Sequence, residues 1–350
     1  MKTADFDYEL PARLIAQTPI EPRDASRLMV VTRADQSITH ASFRDLGAYL
    51  RPGDLLVCNN TRVIRARLLG KKVPSGGKVE LLLTVKRDDT CWEALTRGRR
   101  VPVGGLVEFA GNSGEAGEVI LRAEVGERIP SGGRLVRFKQ PVEPFLRRLG
   151  SIPLPPYIHK DLDDPERYQT IYAENEGSAA APTAGLHFTP DLMSSLRRNG
   201  IDFSFLTLHV GTDTFLPIRE ERLEEHPMHS EYCAVPATTV EAINRAKAVG
   251  QRVVAVGTTV VRALESAARG LARDEPQALA RYEGWTDLFI YPGFRFGVVD
   301  CLLTNFHLPR STLLLLVAAF AGKELLEKAY RQAIEREYRF YSFGDAMLIL

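Results

Sequence analysis

The chain of 350 residues is poor in several things, and each absence narrows what it can be. It has only four cysteines, Cys58, Cys91, Cys233 and Cys301, far apart and with no CxxC pair. That spacing predicts reduced, buried thiols rather than a disulfide frame. It lacks a charge of one sign: 45 Lys and Arg against 44 Asp and Glu leave a formal charge of +1. No global field draws it to a polyanion, so contact with nucleic acid has to come from a local basic patch. It lacks a long apolar run. The longest, Leu313 to Ala321, is too short for the roughly 20 residues that span a bilayer. The opening MKTADFDYEL carries acids where a signal peptide needs an apolar core. A cytoplasmic protein is expected. Neither GxGxxG nor GxxxxGK[ST] occurs, so the dinucleotide and P-loop fingerprints are missing.

What is there is the composition of a folded protein, 45% hydrophobic and 25% charged, in a length that suits one large or two ordinary domains. From about Arg62 to Phe138 the chain is glycine-rich, with short, partly alternating runs: KVELLLTV, LVEFAG, EVILRAEV and RLVRF. A Pro-x-Gly-Gly turn recurs at Pro74, Pro102 and Pro130. Short strands between regular turns predict a small all-β barrel or sandwich. Three similar hairpin turns explain the recurrence more simply than a true repeat. From Thr189 onward, helices and buried strands alternate, the pattern of a parallel or mixed α/β sheet. Thr189 and Pro190 open a helix that Asn199-Gly200 closes. IDFSFLTLHVG and RVVAVG read as strands, and Thr239 to Val249 and TTVVRALESAARG as helices. LFIY (288–291) and VVDCLLTNF (298–306) read as two more strands. Ser311 caps the apolar helix LLLLVAAFAG, and a last helix runs to about Tyr338. Residues 1–60 share this texture, with PGDLLVCNN a turn and a buried strand. The expected fold is a discontinuous α/β domain with a mixed sheet, residues 1–60 and 150–350, and an inserted β-barrel-like domain, 61–149. The proline-rich GSIPLPPYIHK is the return linker.

Chemistry gathers in loops after ordered elements. GSAAAPTAGLHFT (177–189) is almost without side chains, which lets backbone approach a ligand or another backbone closely. Pro182 fixes its path, Gly185 permits a turn, and His187 adds a titratable ring. It is either a ligand-contacting loop or a tightly packed loop between domains. LTLHVGTDTF ends a strand in His209 and breaks it at Gly211, and ligands collect at the carboxyl ends of strands in open α/β sheets. HPMHSEYC offers His226, His229 and Glu231. Its spacing could make half a metal site, but no second cluster completes it, so acid–base or hydrogen-bonding roles are favoured. VAVGTTVVRALES is strand, Gly-Thr-Thr, helix. Thr258, Thr259 and the free N–H groups of a helix start suit a carboxylate or phosphate, against the plainer reading of an N-cap. Arg262 and Glu265, one turn on, face the same pocket or pair with each other. FIYPGFRF and LLTNFHLPRSTL put Tyr291, Phe294, Phe306 and His307 where they could stack on a base or meet a cation, or simply fill the core. Arg62, Arg65, Arg67, Lys71 and Lys72, with Arg97, Arg99 and Arg100, are either a phosphate grip or a solvated strand face.

Taken in order, FDYELP-x-x-LIAQ-x-P, SRLMV, GDLLV-x-NNTRV, LPPYI, APTAGLHF, LHVG-x-x-TF, MHSEY, VAVGTT-x-VR-x-LES, FIYPGF and TNFHLP-x-STL closely resemble the S-adenosylmethionine:tRNA ribosyltransferase-isomerase family of queuosine biosynthesis. The match runs from Asp5 to Met347, strong in the α/β parts and weak in the β module. The resemblance implies transfer and isomerisation of the ribosyl part of S-adenosylmethionine onto 7-aminomethyl-7-deazaguanine at the tRNA wobble position. The products are epoxyqueuosine-tRNA, adenine and methionine. It implies S-adenosylmethionine as co-substrate rather than cofactor, tRNA as partner, no metal and no membrane. On the matching motifs we expect acid–base roles for His187, His209, His229 and Glu231. Substrate contacts are expected from Asn60, Thr61, Arg62, Pro182, Thr183, Gly185, Phe188, Gly211, Thr214, Thr258, Thr259, Arg262, Tyr291, Pro292, Asn305, Phe306 and His307. Thr258 and Thr259 would take the methionine carboxylate. Two positions depart from the family pattern: Asp213 replaces a second glycine, and Arg65 replaces a proline. Two rivals remain, an RNA-binding protein without catalysis and a phosphate-chemistry transferase. The missing P-loop and the lack of a clear Asp pair for magnesium weigh against the latter.

Overall fold

The structure is a computed structural model that describes residues 1–98, 101–111, 119–129, 132–211, 214, 217–269 and 278–350. The chain forms two compact units. One comprises Met1–Arg62, Pro155–Asn175 and Ala181–Leu350, the other Val63–Leu154 and Glu176–Ala180.

The larger unit is built on a nine-stranded mixed sheet. Four strands run parallel at its centre: Asp202–Leu208, Leu55–Asn59, Val253–Val256 and Cys301–Asn305. All residues of the last three are buried, as expected of strands covered on both faces. Leu206 pairs with Asn59, and Val256 pairs with Cys58 and Leu303. This register brings the carboxyl ends of the four strands to one edge. Beyond Cys301–Asn305 come Ala346–Ile349 (antiparallel), Arg27–Thr32 and Ser37–Ser42. On the other side Glu231–Val235 and Tyr282–Thr286 add two antiparallel strands.

Leu28, Leu56, Val256, Leu303 and Leu348 form one core face with Phe43, Phe188, Met193 and Leu196. The helix Pro190–Arg198 brings two of these, and Thr189 caps it by accepting from the Leu192 N–H at 3.2 Å. The helix Thr258–Ala267 packs on the parallel strands and their antiparallel neighbours. Ser311 caps Thr312–Ala321, the apolar helix expected there, and Lys323–Glu335 follows. The chain at 288–291 is not a strand. Thr286 ends the preceding one, and the Leu288 carbonyl is taken by Arg262 Nε at 3.1 Å instead of a ladder.

In the smaller unit six antiparallel strands close into a barrel. Arg67–Val73, Lys78–Lys86, Cys91–Arg97, Arg134–Phe138, Val119–Arg128 and Gly105–Ala110 pair in that order, and the last pairs back to the first. Alternate residues such as Leu68, Leu81, Val107, Phe109, Val125 and Val136 fill the interior together with Trp92. The expected turn at Pro130 and the basic pair Arg99 and Arg100 lie outside the described residues.

Candidate active site

The parallel strands deliver three loops to one place. Val256 runs into Gly257, whose φ of +96° only glycine adopts freely, and the helix Thr258–Ala267 starts there with no side-chain cap. Asn305 runs into Phe306-His307-Leu308, and Leu208 into His209-Val210-Gly211. A fourth segment, 181–187, folds as a tight 3-10 turn over Thr183–His187. Gly185 is required in it, because a Cβ there would lie 2.1 Å from Tyr172 Oη.

These segments enclose a cleft of about 610 Å³, mouth included, within the larger unit. It sits at the carboxyl ends of parallel strands, where ligands collect in open α/β sheets. Among the sequence candidates it gathers Pro182, Thr183, Thr214, Thr258, Thr259, Asn305, Phe306 and His307. Among its described lining residues there is no Asp, Glu, Lys or Arg. The walls are hydroxyls, small residues and two tyrosines, with an uncapped helix N-terminus at the position where an anion is favoured. Asn59 Nδ2 holds Thr259 Oγ1 at 3.3 Å and donates to the Leu208 carbonyl at 2.9 Å, tying two strand ends together.

His187 lies behind this wall, 4% exposed and stacked on Phe43 at 4.9 Å. Its Nδ1 is 2.8 Å from Ser26 Oγ, while its Nε2 has no hydrogen-bond partner. Burial, opposed in part by Asp345 and Asn305, lowers its pKa to about 4. The buried Oδ1 of Asn305, a lining residue, is likewise without a partner, and so is Thr170 Oγ1. His307 differs. Its Nε2 is engaged by Thr304 Oγ1 at 2.7 Å, its N–H donates to Tyr330 Oη at 2.9 Å, and burial lowers its pKa to about 3. Phe306 borders the cleft, but its ring is fully buried among Tyr330, Tyr338 and Phe340.

The other candidates lie elsewhere. Glu231 and Arg262 form a buried ion pair. Arg262 also donates to the carbonyls of Leu288 and Thr286, and Glu231 Oε1 accepts from the Gly211 N–H at 2.8 Å with His229 Nε2 at 3.4 Å. Burial works to raise the Glu231 pKa, but Arg262 and His229 outweigh it and hold it at about 2. This network is a strut under the 209–211 loop. Arg262 therefore neither faces the cleft nor pairs with Glu265. Glu265 accepts instead from the backbone N–H groups of Gly297, Val298 and Val299. His226 turns to Glu220 at 2.8 Å, away from the His229–Glu231 contact, and no cluster among the described residues could hold a metal ion.

His209 Nδ1 is 2.8 Å from Thr61 Oγ1, and burial lowers its pKa. Asn60 joins Thr207, Asn175 and Glu174 in a polar chain. Arg62 pairs with Glu166 at 2.5 Å. Phe188 is a core residue, and Tyr291 packs on Phe289 at 5.1 Å beside Pro292, away from the cleft lining. Arg65 donates to the Arg147 carbonyl at 3.3 Å, and Asp213 lies outside the described residues.

Sequence reasoning missed Tyr157, Tyr341 and Ser342, all of which line the cleft. Tyr157 Oη and Ser342 Oγ are 2.8 Å apart. Tyr341 has φ +70°, a costly conformation for a tyrosine. It is held by its N–H to the Phe306 carbonyl and by Asn305 Nδ2 to its own carbonyl, at 3.1 and 2.9 Å. LPPYI carried the signal for Tyr157; nothing local marks Tyr341. Arg23 was also missed. It clamps the carbonyls of Glu166, Gln169 and Leu186 and so fixes the 183–187 turn from behind.

Residues 3–349 match the family model described as queuosine biosynthesis protein. A Moorella thermoacetica protein named S-adenosylmethionine:tRNA ribosyltransferase-isomerase is 53% identical over the whole of both chains, and its Staphylococcus epidermidis namesake is 48% identical, again over the whole of both. The crystal structure of S-adenosylmethionine tRNA ribosyltransferase from Thermotoga maritima matches 99% of this chain and 100% of its own, at 41% identity and a TM-score of 0.56. The chain belongs to the queuosine biosynthesis protein family.

Proposed function

We infer that the chain transfers and isomerises the ribosyl moiety of S-adenosylmethionine onto 7-aminomethyl-7-deazaguanine at the wobble position of tRNA. Epoxyqueuosine-tRNA forms, and adenine and methionine leave. The observation that carries this reading is the full-length family match joined to a cleft whose lining comes from the family-like motifs APTAGLHF, VAVGTT and TNFHLP.

The cleft suits the donor in charge as well as place. The methionine carboxylate meets the uncapped N-terminus at Thr258 and Thr259, where free N–H groups and hydroxyls replace a basic side chain. The sulfonium meets aromatic faces and hydroxyl oxygens from Tyr157 and Tyr341. The reaction needs a base for a proton beside the sulfonium. His187 supports that role best among the acid–base candidates. At pKa about 4 it is neutral near pH 7, and the tautomer that gives Nδ1–H to Ser26 leaves Nε2 with a lone pair on the Asn305 side. Glu231, spent on Arg262 and Gly211, is a positioning residue. His229 works through Glu231, and His209, held by Thr61, is not among the lining residues. Residues 1–60 and 150–350 would then be the catalytic domain, with 61–149 the insert.

The test is to incubate the purified protein with S-adenosylmethionine and an anticodon stem-loop carrying 7-aminomethyl-7-deazaguanine, with a chelator present, and to follow free adenine and RNA mass. Adenine release matched by an RNA mass gain is expected. RNA binding with no adenine would overturn the reading in favour of a binding platform.

A further inference from the structure

At the Tyr282–Thr286 edge of the sheet the described residues leave one face exposed. Along Asp202–Leu208, Glu231–Val235 and Tyr282–Thr286 the residues alternate. Leu208, Glu231, Cys233 and Thr286 point inward and are buried, whereas Thr207, Tyr232, Glu283 and Trp285 are partly or fully exposed. This is the pattern of antiparallel strands with one face in water. On that face three rings share a row. His209 donates its N–H to the Tyr232 carbonyl at 2.9 Å, and Tyr232 pairs across the ladder with Trp285. The His209 and Tyr232 rings are stacked, 5.8 Å apart and 20° from parallel. Trp285 stands against Tyr232 at 6.0 Å and 74°. Trp285 is 56% exposed, whereas the other tryptophan, Trp92, is 5% exposed in the barrel core.

Single exposed apolar residues need no explanation, but an indole braced edge-on by a tyrosine, itself stacked on a histidine, is an ordered platform. The row lies next to the loop that reaches the cleft: Val210, the residue after His209, lines it from the buried side. The Glu283 carboxylate beside the row is already engaged, accepting from Tyr232 Oη and from Arg281, both at 2.8 Å. The Arg281 pair is exposed and therefore exchangeable for a phosphate. We propose that Trp285 is a stacking platform for an unpaired base of the RNA substrate, one flanking the target base, with Tyr232 and His209 fixing its orientation toward the cleft. Readers of single-stranded RNA hold splayed bases on such aromatic faces. The proposal rests on the tRNA reading above and adds to it where the anticodon loop lies.

The experiment titrates the full-length protein with the same modified stem-loop, following tryptophan emission, and measures adenine release in the same samples. Stacking quenches the Trp285 emission, and the Trp285→Phe variant, whose remaining tryptophan is buried, loses that quenching. Trp285→Ala raises the KM for RNA roughly ten- to hundred-fold, Trp285→Phe recovers most of it, and kcat and the KM for S-adenosylmethionine stay unchanged. The factor persists at higher salt, because stacking releases no counterions. Turnover with neither quenching nor a change in RNA KM overturns the proposal alone. Quenching without turnover overturns the reaction and leaves the platform standing. A concentration-dependent dimer that Trp285→Ala abolishes would assign the row to a second copy of the chain and overturn it too.

Discussion

Glu231→Gln separates a strut from a base. The Glu231 and Arg262 side chains are 2% and 7% exposed, so the substitution leaves a guanidinium uncompensated in a site with little water. Removing one partner of such a pair costs about 3–5 kcal/mol. Glutamine keeps the shape and can still accept from the Gly211 N–H, and Arg262 keeps the carbonyls of Leu288 and Thr286, so the lower end applies. For a unit of this size about 3 kcal/mol lowers the melting temperature by roughly 6–12 °C. Scanning calorimetry of wild type, Glu231→Gln, Arg262→Met and the double variant Glu231→Leu/Arg262→Met checks it. The double variant, which buries no charge, is expected to melt above either single one. Adenine release well below the melting transition should persist in Glu231→Gln, because the carboxylate only holds the 209–211 loop. An unchanged melting temperature together with lost turnover would refute the strut and make Glu231 the base.

Two further outcomes follow from the same geometry. His187→Gln keeps a partner for Ser26 but removes the basic nitrogen, so turnover should fall about 10²–10⁴-fold with S-adenosylmethionine binding retained. Because the folded His187 pKa lies at about 4, below the unfolded value of about 6.5, the unfolded chain binds the proton first. Its stabilising contribution is full above about pH 6.5 and declines as the pH falls to about 4, reaching a loss of about 2 kcal/mol near pH 5. Urea midpoints at pH 7 and pH 5 should lie closer together in His187→Gln than in the wild type. Gly185→Ala sets a Cβ 2.1 Å from Tyr172 Oη and 2.8 Å from Thr170 Cγ2, so it should cost about 1–3 kcal/mol, part of which Tyr172→Phe restores on thermal melting.

Much of the fold was legible because it is written in local periodicity. Continuous apolar runs fixed Leu55–Asn59 and Val253–Val256 as covered strands, Thr189 and Ser311 marked helix starts, and Pro-x-Gly-Gly turns with alternating runs marked the barrel. At 288–291 the same reasoning failed. LFIY has the composition of a strand, but its backbone is used by Arg262, a residue 26 positions away.

The site divides along the same line. Sequence alone determined which segments hold small residues, hydroxyls and histidines at strand ends; it is the fold that brings Pro182, Thr183, Thr258, Thr259 and Asn305 around one cleft. Only the tertiary structure decided which titratable groups are free. His187 keeps an unpartnered nitrogen, while His307 is tied to Thr304 and Glu231 to Arg262. It also brought in Tyr157, Tyr341 and Ser342 from distant stretches and aligned His209, Tyr232 and Trp285 in one row. The reason is physical. Propensity and periodicity act over a few neighbouring residues, whereas a pKa, a hydrogen-bond partner or a stacked ring depends on what strand register places alongside, however far away it lies in the chain.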